Sequence, residues 1–428
     1  MDASRYARQL KLNRRHMIAA SAGAAGLAAA GRSARSVRAQ DAVTLTQWYH
    51  QYGEAGTQEA AARYAAEYSE VNPDVTVEMV WVPGDYSATA LPAALLTDDG
   101  PDVFEGSPSL AMVDAGQIEP LDDLFTEEVM ADFNPVNIAA ATINDSIYGV
   151  KMLDDLGLLY YRRSILDEAG IAPPTTMDEL IAAAQALDTG RVKGLFLGND
   201  GGVSALIHIA PWSAGVEFLD AANNEITFGN ERTVVAYQKV RELHGSGALL
   251  VGAPTDWWDP SAFNQGLTAM QWTGLWAMPG IQAALGDDFG VVPWPALDGD
   301  GSPATFWGGW TEMVNARGQH IEESKEFVRW LWIENTAAQQ DWNLAYGFHV
   351  PPRISAAESA EPLQSGAPAE AVTILNEHGR VLGPLWTGAM NTIITDALSN
   401  ILNSGADIEE TVATAAEQCQ AELDRNLA

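Results

Sequence analysis

The sequence predicts an α/β fold in two lobes. A strand pattern, an amphipathic helix and a second strand pattern follow one another between Ala42 and Trp81, a βαβ succession that implies a parallel sheet covered on both faces. At 428 residues the chain exceeds the roughly 250–300 that a single hydrophobic core supports. With 47% hydrophobic residues, 14 Trp, 11 Tyr and 11 Phe, there is ample material for packed cores, so a net charge of −34 does not signal disorder.

Residues 1–39 differ from the rest. They hold eight basic residues (Arg5, Arg8, Lys11, Arg14, Arg15, Arg32, Arg35, Arg38) and one acid, Asp2. Asn13-Arg14-Arg15-His16-Met17-Ile18 leads into an Ala/Gly-rich run ending at Gly31, followed by Val37-Arg38-Ala39. A positive start, a mildly apolar middle and a small-residue end read as an export signal of the twin-arginine type; a disordered basic arm or an amphipathic surface helix are the competing readings. The apolar run is shorter than the roughly 20 residues that span a bilayer, and no Cys follows it for lipid attachment. The expected mature protein is soluble and periplasmic or otherwise extracytoplasmic. From Gln40 onward 15 basic face 56 acidic residues, a net charge of −41. Such an excess repels nucleic acid and anionic lipid. The lone Cys419 closes no internal disulfide.

In the mature part, Ala42–Trp48 alternates as a strand and opens into Tyr49-His50-Gln51-Tyr52-Gly53-Glu54. Ala60, Tyr64, Ala65, Tyr68 and Val71 recur at helical spacing from Thr57 until Asn72-Pro73 stops the helix, and Val75–Trp81 is the second strand. Thr176-Met177-Asp178-Glu179 is a capping box that starts an Ala-rich helix. Further helices are predicted over 231–244, 321–333 and 407–427. Ala/Pro/Ser-rich residues 356–370 read as a surface loop.

Several segments, in order, resemble one family. They are Asn72-Pro73-Asp74-Val75-Thr76-Val77, Gly100-Pro101-Asp102-Val103-Phe104, Ile147-Tyr148-Gly149-Val150 with Leu159-Tyr160-Tyr161-Arg162-Arg163, Pro173–Leu180, and Phe263–Met270 with Gly274-Leu275-Trp276. Together, behind an export signal, they resemble the extracellular solute-binding proteins of ATP-driven (ABC) importers, the family of the maltose- and other sugar-binding proteins. The resemblance implies the type II periplasmic-binding-protein fold: two α/β lobes joined by a hinge of several crossing segments, with solute held in the cleft and delivered to a membrane permease. It places lobe one at 41–152 plus 312–349 and lobe two at 153–311 plus 350–428. Crossings then fall near Met152, Gly308-Gly309 and Val350-Pro351-Pro352. A glycine pair fits a hinge, and fits a tight packing contact equally well.

A sugar offers hydroxyls around apolar ring faces, so its site needs carboxylates, amides and aromatic faces. In open α/β sheets ligands bind beyond the carboxyl ends of strands, which points to Trp48, Tyr49, His50 and Glu54 after the first strand and to Glu105 and Ser107 after Asp102-Val103-Phe104. The resemblance implies an acidic hinge-side position at Asp154, with Asp155 beside it, and aromatic cleft residues at Trp276 and Trp386. Trp257, Trp258, Trp307 and Trp310 are further aromatic candidates. Each has a structural competitor: the Trp residues as core, Asp154 as a helix cap or partner of Arg162, the loop residues as caps. Glu105-Gly106-Ser107 replaces the longer, more aromatic loop of maltose binders, so the ligand need not be maltose.

No G-x-S-x-G, H-E-x-x-H, P-loop or G-x-G-x-x-G is present, and the seven His are scattered. Asp154-Asp155 makes a poor glycosidase pair because neighbours on an extended segment point to opposite sides. The expectation is a monomeric binding protein without cofactor or metal, taking a carbohydrate. A polyol, cation, sugar derivative or peptide as cargo and, from another class, a secreted glycan-active enzyme are the alternatives. Only four Lys follow residue 40, which disfavours an anionic solute unless Arg162, Arg163 or Arg353 reaches the cleft.

Overall fold

The computed structural model describes residues 42–428 apart from 85, 98 and 99, and no side chain is described at 88. The export-signal reading of residues 1–39 lies outside the described residues.

The chain builds two larger sheets, each inside its own core. The first has the strand order 75–82, 43–50, 103–106, 311–314, 150–151. Val43–His50 runs parallel to both Val75–Val82 and Val103–Gly106. Between the first two strands lies the helix Thr57–Val71. It turns Ala60, Ala61, Tyr64, Ala65 and Tyr68 into the core shared with Leu45 and Tyr49 of the strand. Helical spacing of apolar residues produces that stripe, and alternation along Val43–His50 sends the odd positions to it. Asn72 ends the helix, its N–H donating to Tyr68 O at 2.7 Å.

The second sheet has the order 290–292, 157–161, 268–274, 193–196. Leu159 faces one core and Leu158 and Tyr160 another. Burial on both faces is why Gly157-Leu158-Leu159-Tyr160-Tyr161 shows no polar alternation. The capping box forms as predicted: Glu179 N–H donates to Thr176 Oγ1 at 3.3 Å and Thr176 N–H to Glu179 Oε2 at 3.3 Å, starting the helix Met177–Leu187. The helices predicted at 231–244 and 407–427 run Glu231–Gly245 and Ile408–Asn426. That predicted at 321–333 is α-helical over Ile321–Arg329 and then widens into a π turn over Trp330–Glu334.

Two expectations need correction. The sheets are mixed rather than parallel: Thr311–Val314 lies antiparallel to both its neighbours, and Gly157–Tyr161 pairs antiparallel with 268–274 and with 290–292. The βαβ pattern is local, whereas these strands reach their sheets after long excursions that no local pattern records. Residues 356–370 are not an open loop. They lie in the helices Ile354–Glu358 and Gly366–His378 with a 3₁₀ turn between, because Ala360, Leu363 and Ala371 close the core around Leu158 and Tyr160.

The chain passes between the two sheets along three segments that lie side by side. Met152 N–H donates to Trp310 O at 2.9 Å, Asp154 and Val350 exchange backbone hydrogen bonds of 2.9 Å, and Gly308 N–H donates to Asp155 O at 2.8 Å. At this waist Gly309 has φ +99°, and a Cβ there would stand 2.1 Å from Leu153 O. Only glycine fits that conformation and that approach.

Candidate functional site

The first parallel strand carries His50 past the carboxyl end of its sheet, where Glu105 meets it at the end of Val103–Gly106. Glu105 is fully buried. It accepts the His50 backbone N–H at 2.6 Å and the Tyr52 hydroxyl at 2.7 Å, and shares a 2.5 Å hydrogen bond with His50 Nδ1. Tyr86 O–H donates to the Glu105 carbonyl at 2.8 Å. Burial, then the Glu105 charge, holds the Tyr52 phenol well above its ordinary pKa, so it stays a donor. The His50 ring is thereby fixed and stacks on Trp310, centroids 4.4 Å apart.

At the waist the two adjacent aspartates diverge, as neighbours on extended backbone must. Asp154 is 1% exposed. It turns inward to accept from Asn137 Nδ2 at 2.8 Å, with Lys151 Nζ at 3.8 Å. Burial pushes its pKa up against the pull of Lys151 and Asn137, and burial lowers that of Lys151. Asp155 turns the other way and holds His349 Nδ1 at 2.7 Å. Burial opposes charge on His349, but the Asp155 carboxylate outweighs it and raises the imidazole pKa.

The second sheet contributes the opposite wall. Gln271, fully buried on strand 268–274, donates to Trp257 O at 3.2 Å and Asp259 O at 2.8 Å. It thus anchors the loop that carries Trp257, Trp258 and Asp259. Trp276 follows the strand end, and a Cβ on Gly274 would fall 1.9 Å from its ring; the indole lies on bare backbone. Its Nε1–H donates to Trp258 O at 2.9 Å. Trp257 meets it edge-on at 5.9 Å and Phe306 stacks at 6.5 Å.

These walls enclose two cavities. The larger, about 810 Å³, is lined by His50, Tyr52, Glu54, Trp310, Tyr346 and His349 from the side of the first sheet, by Trp258, Asp259 and Trp276 from the side of the second, and by Asp155 at the waist. Its volume falls within the roughly 300–1,000 Å³ typical of small-molecule sites. The smaller, about 300 Å³, takes in Ser107, Trp257, Trp307 and Arg380. Phe306 borders the smaller cavity and Trp276 the larger.

Of the residues picked from sequence, His50, Glu54, Asp155, Trp258, Trp276 and Trp310 meet in the larger cavity, and Ser107, Trp257 and Trp307 in the smaller. Five do not line either. Tyr49 is 0% exposed, its ring stacked between Trp81 and Trp342; strand alternation sends it to the core. Trp386 is buried beside Phe218 and Phe228, its Nε1–H held by Asn391 Oδ1 at 2.8 Å. Trp48 packs half-buried against the cluster of Phe104 and Met313. Asp154 faces Lys151 rather than Arg162, which pairs with Asp288 at 2.8 Å. Glu105 stands one layer behind the wall. Arg163 donates to Phe289 O and Arg353 pairs with Asp132, so neither they nor Arg162 bring a charge to the cavities.

Sequence reasoning missed Tyr52, Asp259, Tyr346, His349 and Arg380. Tyr52 lay inside the polar-aromatic stretch after the first strand, and Asp259 directly follows the Trp pair. His349 precedes a segment expected to cross between lobes. Tyr346 and Arg380 carry no local signal.

The family described as bacterial extracellular solute-binding protein matches residues 53–332. The chain is 30% identical over 245 residues to a probable ABC transporter-binding protein of Deinococcus radiodurans, a match spanning 53% of this chain and 56% of that relative. Among solved structures it resembles the GacH receptor of Streptomyces glaucescens, described unliganded and in complex with acarbose: TM-score 0.76, 23% identity, 90% of this chain and 99% of that one. It likewise resembles an ABC transporter solute-binding protein of Thermotoga lettingae bound with α-D-tagatose: TM-score 0.76, 20% identity, 89% and 100% covered. Both show the two-lobed fold.

Proposed function

The chain belongs to the bacterial extracellular solute-binding proteins, and we propose that it captures a sugar or oligosaccharide between its two α/β lobes and delivers it to the permease of an ABC importer. One observation carries this reading above others. The larger cavity is bordered by an indole on each side, Trp310 from one lobe and Trp276 from the other, and by carboxylates and imidazoles. Flat apolar faces suit the ring of a sugar, and the acids suit its hydroxyls, each hydrogen bond to a charged group contributing about 1.5–3 kcal/mol. The two similar structures bind tagatose and acarbose, which favours the same class here.

Closure follows from where the wall residues sit. A solute touching both lobes interacts fully only when they approach, so its differential affinity shifts the population to the closed form, whose surface the permease reads. The lobes comprise 41–152 with 312–349 and 153–311 with 350–428, and the three waist segments form the hinge. Residues 1–39 direct export through the twin-arginine route and are removed, and the monomer acts outside the inner membrane. Among the described residues no helix is long and apolar enough to cross a membrane. Binding without turnover fits Asp155, whose carboxylate is engaged by His349.

A thermal-shift screen of the mature chain against mono- and oligosaccharides, polyols, polyamines and peptides tests this reading. A sugar present at 100 times its Kd stabilises by about 2.7 kcal/mol. A shift with peptides or polyols alone would remove the carbohydrate assignment, and release of product sugars from an oligosaccharide would replace it with an enzymatic one.

A further inference from the structure

The Asp, Glu, Lys and Arg side chains lining the larger cavity are all of one sign. Glu54, Asp155 and Asp259 line it, and among the described residues lining it there is no Lys or Arg. His349 lies within the field of both Asp155 and Glu54, and one imidazolium offsets at most one of them. The Asp259 carboxylate accepts from the Ser261 backbone N–H at 2.7 Å and the Thr255 hydroxyl at 3.4 Å, partners that carry no charge. Closing the lobes over a neutral solute would therefore withdraw uncompensated carboxylates from water, which is costly. Trp258, Trp276 and Trp310 face the same space, and indole faces attract cations.

From this excess of one sign beside three indoles we infer that the cargo is cationic: a carbohydrate bearing a protonated amine. The inference rests on the carbohydrate reading above and adds the charge of the solute to it. The amine is held by the carboxylates of Glu54 and Asp259, one from each wall, and the sugar face lies against Trp276.

Calorimetric titration of the mature chain with glucosamine and its di- and trisaccharides, each paired with its N-acetylated neutral counterpart at a pH where the amine is protonated, tests it. The amine form is expected to bind at least about tenfold more tightly than its neutral pair. That ratio should shrink in molar salt, and also in Glu54→Gln and Asp259→Asn. The salt series on the unmodified chain keeps the test decisive if a variant misfolds. Equal affinity of amine and N-acetyl forms, or a preference for neutral sugars, overturns the inference and leaves the carbohydrate reading standing. Binding of choline or spermidine with no sugar bound supports a cationic cargo and overturns the carbohydrate reading.

Discussion

Replacing Trp276 by alanine should weaken solute binding far more than it weakens the fold. The indole packs on Gly274, meets Trp257 edge-on, stacks with Phe306 and is held at its nitrogen by Trp258 O. What stays exposed of it borders the larger cavity. A fully packed aromatic side chain buries roughly 150–250 Å²; Trp276 is already largely covered by the protein, so about 40–80 Å² is left for solute. At about 25 cal/mol per Å² that surface contributes about 1–2 kcal/mol, or roughly 5- to 30-fold in Kd. Titration calorimetry of Trp276→Ala against the best carbohydrate should show this loss with stoichiometry unchanged, since misfolding would lower the stoichiometry instead. Trp276→Phe keeps a flat face and should lose less. An alanine variant that binds within twofold of the unmodified chain would refute the stacking role.

Three further outcomes follow from the site and the waist. Glu105→Ala leaves the His50 N–H and the Tyr52 hydroxyl without their buried acceptor; at about 1–3 kcal/mol for each unsatisfied group, urea unfolding should report a loss of about 2–6 kcal/mol, with Glu105→Gln milder. The His349 imidazole has its pKa raised above 6.5 because Asp155 outweighs the effect of burial. Its charged form therefore stabilises the fold fully below pH 6.5 and ceases to as pH climbs through the raised value. The stability gap between the unmodified chain and His349→Gln should shrink between pH 5.5 and 9 in denaturant titrations, and a constant gap would contradict the pairing. Gly309→Ala forces a side chain into φ +99° and against Leu153 O, so its melting temperature should fall by more than the ~1–2 kcal/mol of left-handed strain alone implies.

The sequence made local features readable and left distant ones dark. The helix Thr57–Val71 and the capping box at Thr176 were legible to within a residue because their signals lie within one or two turns of chain. Thr311–Val314 was not: it enters the first sheet between strands that precede it by more than 150 residues. The same divide runs through the site. His50 and Glu54, picked from their place after a strand, and Trp276, picked from its family segment, line the larger cavity. Tyr49 was misplaced because position along a strand end does not tell which face a side chain takes until the register is known. Glu105 lies behind the cavity wall rather than on it, since a residue at a strand end can be fully buried and hold its neighbours instead. His349 was missed because its partner, Asp155, lies 194 residues away.

Equilibrium titration of the mature chain with a panel of mono- and oligosaccharides tests the central claim most directly. Capture in the interlobe cleft predicts at least one carbohydrate bound one to one, with a negative heat-capacity change from apolar burial against the indole faces. No binding across the whole carbohydrate panel, with heat evolved only by peptides or other non-sugars, would contradict it.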